Sequence, residues 1–140
     1  SLHDALPILL ADDSGLAVES LNGAPGVFSA RFAGVHGDDL ANNEKLLYLL
    51  DGASEHERKA KFICAMVLIV NVDKIIKVQG EVDGVITSEF IGEEGFGYDP
   101  LFYVKEYKKT FAQMNAEVKN AISHRGRALN KLKVELKGLV

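Results

Sequence analysis

Lys59-Ala60-Lys61-Phe62-Ile63-Cys64-Ala65-Met66-Val67-Leu68-Ile69-Val70-Asn71-Val72 is the stretch that decides the fold. Its apolar run, residues 62–70, holds nine residues without a charge. A continuous run of that length reads as a long, largely buried strand, and it is too short to span a bilayer. Downstream, residues 74–79 and 81–87 read as two strands of a meander, broken near Gly80. Upstream, residues 8–11 read as a short strand, with Ser14-Gly15 as a tight turn off its end and residues 16–21 as another strand. Residues 22–26 are rich in breakers, and residues 28–32 fit a helical turn. Asp38 or Asp39 caps a helix running to about Leu50, with Leu40, Leu47 and Leu50 on its apolar face and Asp51-Gly52 as its stop. Ser123 caps a last helix with the stripe Ala128, Leu129, Leu132, Leu136 and Leu139. Strands with helices at each end predict an α/β domain on a mixed central sheet.

Composition bounds the rest. A chain of 140 residues, 47% hydrophobic and 26% charged, is one ordinary globular domain with enough residues for a real core. Cys64 is the only cysteine, which rules out an internal disulfide framework and suits a reducing cytoplasm. A net charge of −4 argues against a general nucleic-acid binder. That charge is unevenly placed: residues 1–57 carry ten acidic and two basic side chains, residues 105–137 nine basic and three acidic. Such a chain can close a cleft with carboxylates on one wall and cations on the other, although two solvated faces of opposite sign give the same counts. Residues 1–8 read like the translation of a sequencing adapter, so they are excluded from functional argument and residues 9–140 are taken as the domain. On that reading the natural protein begins upstream.

Three segments carry chemistry. Ala11-Asp12-Asp13-Ser14-Gly15-Leu16 places two carboxylates side by side at a strand end. Alternation sends Asp12 and Asp13 in different directions, so one can hold a divalent cation while the other holds the cation or a water. Oxygen-rich sites of this kind suit Mg²⁺ acting on phosphates. The same residues also serve ordinary turns. Glu93-Glu94-Gly95-Phe96-Gly97-Tyr98-Asp99-Pro100 sets an aromatic between two glycines, a stacking platform for a nucleobase, with Asp99 placed to accept from a ring N–H. Packing of Phe96 and Tyr98 into the core is the competing reading. In Lys119-Asn120-Ala121-Ile122-Ser123-His124-Arg125-Gly126-Arg127, capping by Ser123 puts His124 and Arg125 in a helical first turn, where a cation opposes the dipole and is better explained by a ligand. His36 and His56 have no partner at metal-like spacing and read as surface residues.

Together, Ala11-Asp12-Asp13-Ser14-Gly15-Leu16, residues 22–34 (Asn-Gly-Ala-Pro-Gly-Val-Phe-Ser-Ala-Arg-Phe-Ala-Gly), residues 95–102 (Gly-Phe-Gly-Tyr-Asp-Pro-Leu-Phe) and residues 122–129 (Ile-Ser-His-Arg-Gly-Arg-Ala-Leu) resemble the inosine triphosphate pyrophosphatase family, also called the Ham1 family. The resemblance covers about residues 9–137. It implies a two-lobed α/β structure with an active-site cleft, and Mg²⁺-dependent hydrolysis of ITP, dITP or XTP to the monophosphate and pyrophosphate by a homodimer. It further implies Asp13 as the catalytic, metal-binding carboxylate with Asp12 its companion at the metal, and Ser14 in contact with substrate. Phe96, Gly97, Tyr98 and Asp99 would hold the base, and Lys119, His124 and Arg125 would make the remaining nucleotide contacts. Donors such as Lys119 and Arg125 satisfy the 6-carbonyl of hypoxanthine or xanthine but face adenine's amino group unpaired, a mismatch that can discriminate by ~10⁴-fold.

The family pattern begins with a strand and a Ser/Thr-Gly-Asn-x-x-Lys loop that grips the triphosphate, followed by a metal-binding glutamate. Neither precedes Leu9 here. The expectation is therefore a weak or inactive chain with an exposed sheet edge, cut from an active parent. A Maf-like pyrophosphatase of other base specificity and a non-catalytic nucleotide-binding module are the alternatives.

Overall fold

A computed structural model of the chain describes residues 9–138; the adapter-like residues 1–8 and the expected stripe residue Leu139 lie outside that range. Five strands form one sheet in sequence order: β1 (Leu9–Val18), β2 (Lys59–Asn71), β3 (Lys74–Ile86), β4 (Phe102–Val104) and β5 (Lys109–Thr110). Three helices accompany it: α1 (Asp39–Leu49), α2 (Ala116–Ile122) and α3 (His124–Lys137). The α/β class is as expected. Every ladder among the described residues is antiparallel, however, where a mixed sheet was expected. The short β2–β3 turn imposes that sense on its pair, because only a long crossover can make neighbours parallel.

Two glycines read as breaks are not breaks. β1 runs on through Ser14-Gly15 to Val18, and β3 through Gly80 to Ile86, so the expected turn at the first and interruption at the second are both absent. A side chain at Gly15 would meet Gly26 O at 2.6 Å, and one at Gly80 would strike the α3 backbone at His124 and Ala128. Each glycine marks a close approach of another segment rather than a bend. Beyond Val18 the chain forms a 3-10 turn, Glu19–Leu21, instead of a further strand, and a second, Gly26–Arg31, where a helical turn was expected.

β2 is buried on one face only. Ala60, Phe62, Cys64, Met66 and Leu68 are all below 8% exposed, while Ile63, Ala65, Val67 and Ile69 on the other face are half-buried. The covered face divides into two clusters. One joins Phe62 to Leu16, Leu46, Leu50, Ile86, Phe102 and Phe111; the other joins Cys64, Met66, Leu68 and Ile76 to Ala128 and Leu132 of α3. α3 lies across β3 and β2, and Arg127 and Lys131 donate to the β3 carbonyls of Glu81 and Gln79 at 3.0 and 2.6 Å. Leu129 and Leu136, expected in its stripe, are exposed. On α1 the buried residues are Asn42, Asn43 and Leu46; Leu47 is half-buried and Leu40, expected on the apolar face, is exposed. Its cap is as expected, with Ala41 N donating to Asp38 Oδ1 at 3.1 Å.

Candidate functional site

Register decides where the two carboxylates go. Asp12 stands opposite Met66 and Ser14 opposite Cys64, on the covered face; Asp13 stands opposite Ala65, on the other. Side-chain alternation therefore separates the vicinal pair. Asp12 Oδ2 lies 3.6 Å from Arg125 Nε, both side chains about half-exposed. Asp13 borders a separate shallow hollow with Gly26, Val27, Ile63 and Ala65. Among the described residues no group of three His, Cys, Asp or Glu side chains is arranged to enclose a cation.

On the covered side, Ser14, Phe62, Phe96, Tyr98, Lys119, His124 and Arg125 surround a cavity of about 210 Å³. Its most exposed aromatic is Phe96, at 62%. Lys119 Nζ stands 4.5 Å from the centre of that ring and the Arg125 guanidinium 5.9 Å. An aromatic face flanked by two cations is a stacking surface for an electron-rich heterocycle. Tyr98, by contrast, is buried and donates from its hydroxyl to Ser29 O at 2.7 Å, which makes it a brace; burial, with the nearby Asp39 carboxylate, raises its phenol above the usual range.

Asp99 is only 4% exposed, and its Oδ2 already accepts from Phe96 N at 3.0 Å and from Lys119 Nζ at 2.5 Å. That oxygen is thus engaged inside the protein, where the sequence reading left it open for a ring N–H. Gly97 is held from α1: its N–H donates to Asp39 Oδ2 at 2.9 Å, and its carbonyl accepts from Asn43 Nδ2 at 2.8 Å.

The helix start behaves as its sequence requires. Ser123 Oγ accepts from Gly126 N at 3.1 Å, fixing His124 and Arg125 in the first turn of α3. The His124 ring stacks on Phe62 with centroids 4.8 Å apart. Burial, assisted by Arg125 and Lys119, pushes its pKa down to about 4, so it is neutral at pH 7. Its Nδ1 and the Ser14 hydroxyl are buried without a hydrogen-bond partner among the described residues. Two unsatisfied polar atoms bordering one cavity call for partners that a ligand can supply. Cys64, opposite Ser14, is fully buried, and that burial raises its thiol pKa. His36 and His56 are exposed. A larger hollow of about 500 Å³, between Lys59, Lys61, Lys105, Glu19, Asp83 and Glu106, offers opposed charges but no aromatic ring and none of these residues.

The profile of the Ham1 family matches residues 2–135, nearly the whole length. The chain belongs to the Ham1 family. A Clostridium tetani relative named dITP/XTP pyrophosphatase is 58% identical over 139 residues, covering 99% of this chain and 68% of the relative. A Clostridium perfringens protein of the same name is 58% identical over 133 residues, covering 95% of this chain and 65% of its own length. Among solved structures, the Staphylococcus aureus Ham1 protein superposes with a TM-score of 0.89 at 45% identity, covering 94% of this chain and 67% of that one. The chain thus spans about two thirds of the length of the Ham1 relatives it matches.

Of the residues expected from the sequence, the structure brings Ser14, Phe96, Gly97, Tyr98, Asp99, Lys119, His124 and Arg125 around one cavity, with Asp12 reaching it only through Arg125 and Asp13 on the other face of the sheet. Sequence reasoning missed Asp39, Asn42, Asn43 and Ser29. One signal was available: stepping back three and four residues from the buried Leu46 lands on Asn43 and Asn42, polar side chains where an apolar stripe would continue.

Proposed function

We propose that this chain carries the base-binding side of a pyrophosphatase that hydrolyses ITP, dITP or XTP to the nucleoside monophosphate and pyrophosphate. The observation that carries the reading is the juxtaposition of an exposed Phe96 ring, the Lys119 and Arg125 cations over it, and Ser14 Oγ and His124 Nδ1, unpaired among the described residues, on the same cavity. A purine stacked on Phe96 brings its 6-position edge among donors. A 6-carbonyl accepts from them; an amino group leaves a donor unpaired, which is the physical basis of discrimination. The name these relatives carry, dITP/XTP pyrophosphatase, supports the same substrate class.

In this proposal Asp13 is the catalytic carboxylate that orients the attacking water. Its exposed position fits a hard-cation site in which one or two carboxylates share Mg²⁺ with substrate phosphates and water. Mg²⁺ held there would neutralise charge on the phosphate oxygens. Asp12, the companion that the family resemblance implies at the metal, faces the other side of the sheet from Asp13 and instead steadies Arg125 near the ring. A homodimer fits the exposed Val27, Phe28, Val35 and Tyr48 on the 3-10 segment, the loop after it and α1. A cytoplasmic setting fits the single buried thiol.

The test is calorimetric binding of inosine and adenosine monophosphates to the chain, with pyrophosphate release from ITP and ATP followed in Mg²⁺. Inosine monophosphate should bind at least about tenfold more tightly than adenosine monophosphate, the factor expected when one buried donor is left unpaired. Equal affinities for the two would sink the proposal.

A further inference from the structure

Phe96 owes its place to contacts that its own loop does not supply. Within the loop, Phe96 N donates to Asp99 Oδ2 and Asp99 N donates to Phe96 O, closing a single turn. The Phe96 ring is mostly exposed, so its height over the cavity depends on how the backbone beside it is held. Lys119 on the Asp99 carboxylate and the Tyr98 hydroxyl on Ser29 O tie down the far side of the turn, and the Gly97 peptide, next to the ring, is held from α1. Asp39 and Asn43 stand one helical turn apart on α1, and between them they take both polar groups of Gly97. Asn43 is 1% exposed, and its amide is oriented by a second bond from Nδ2 to Asp39 O at 2.9 Å. Its Oδ1 is buried with no partner among the described residues. The side chain therefore keeps both donors engaged while leaving an acceptor unmet, an arrangement that holds a carbonyl in place.

α1 is anchored in turn. Asn42 Oδ1 accepts from Ala33 N at 2.8 Å, and its Nδ2 donates to Ala30 O at 3.0 Å. Ser29, beside Ala30, receives the Tyr98 hydroxyl on its carbonyl, and its Oγ accepts from Leu16 N in β1 at 3.0 Å. Hydrogen bonds thus run from the aspartate strand through Ser29 to Tyr98, the residue after the clamped glycine.

We propose that Asp39 and Asn43 are positioning residues for base recognition, setting the height of the Phe96 ring over the cavity by clamping the Gly97 peptide. The proposal rests on the nucleotide reading above for its ligand, but the clamp itself is readable without one. Asp39 and Asn43 hold the Gly97 peptide beside the ring, so in this proposal their loss falls on the base more than on the phosphates.

The chain has no tryptophan, so Phe96→Trp installs a unique reporter in the loop. In the ligand-free protein, adding Asp39→Ala should lower the anisotropy of that indole and raise its quenching by acrylamide. Without the reporter, Asp39→Ala should weaken inosine monophosphate binding about tenfold while pyrophosphate affinity stays within about twofold, the scale of one lost charge-assisted hydrogen bond. Asp39→Asn keeps an acceptor oxygen and should restore tight binding. Asn43→Ala should reproduce the loss; if burial makes that variant fail to fold, the exposed Asp39 carries the test. An indole unmoved by Asp39→Ala overturns the clamp, as does an equal loss of pyrophosphate affinity. If the indole loosens in a parent that binds no inosine nucleotide, the clamp stands and the nucleotide reading falls.

Discussion

His124 shows how a residue's chemistry is set by what it packs against. A histidine beginning a helix beside Arg125, near Lys119 and flat on Phe62, meets two cations and an aromatic face but no carboxylate partner among the described residues. Its folded pKa of about 4 lies below the ordinary 6.5, so the unfolded chain binds the proton more readily. Stability is then full above about pH 6.5 and declines as pH falls toward 4, by roughly 2–3 kcal/mol at most. Urea midpoints at neutral pH and in that acidic window measure this decline. His124→Gln should flatten it, and an unchanged slope in that variant would remove the assignment. Two residues facing the cavity were legible because their types are unusual where they stand: a phenylalanine between glycines and an arginine in a first turn. Asp39, Asn43 and Ser29 escaped because their partners lie 58, 54 and 69 residues away, and no local pattern encodes a bond across that distance.

At the scale of elements, hydrophobic pattern and capping chemistry placed α1, β2 and α3, since each is written in adjacent residues: Asp38 and Ser123 at helix starts, a run of β-formers between polar ends. Glycine misled the reading at Gly15 and Gly80, because the same residue permits a bend and tolerates a crossing backbone. Only tertiary packing separates the two uses. At Gly80 the packing partner is the first turn of α3, the turn that presents His124 and Arg125. Gly80→Ala should therefore push that helix start off the sheet, costing about 2–3 kcal/mol as overpacking against backbone that cannot rotate away. Chemical denaturation measures the cost, and a loss below about 0.5 kcal/mol would mean that α3 sits further from β3 than this. Ser123→Ala probes the same turn more gently: losing the bond to Gly126 N should cost about 1 kcal/mol and leave β3 untouched.

Over the whole molecule, the acidic early and basic late segments do meet, but at few points. Asp12 pairs with Arg125, and Glu55 with Lys105 at 3.0 Å, both near the surface, where such pairs contribute little stability. The asymmetry therefore matters less for holding the fold than for the field around the cavity. Lys119 is neutralised locally by Asp99, its side chain 15% exposed. Arg125, about half-exposed and 3.6 Å from its carboxylate, is the freer cation for an incoming phosphate. Exposed charges act through solvent and are screened within about 8 Å at physiological ionic strength, whereas stacking on Phe96 and hydrogen bonds inside the cavity are screened far less. Raising salt from about 0.05 M to about 0.5 M should therefore weaken inosine triphosphate binding several-fold while hardly changing that of uncharged inosine. Arg125→Gln should lower the triphosphate affinity and flatten its salt dependence together, since one group causes both. A triphosphate affinity indifferent to salt would mean that the cations over the ring recognise the base alone, and that phosphate is held by residues outside this cavity.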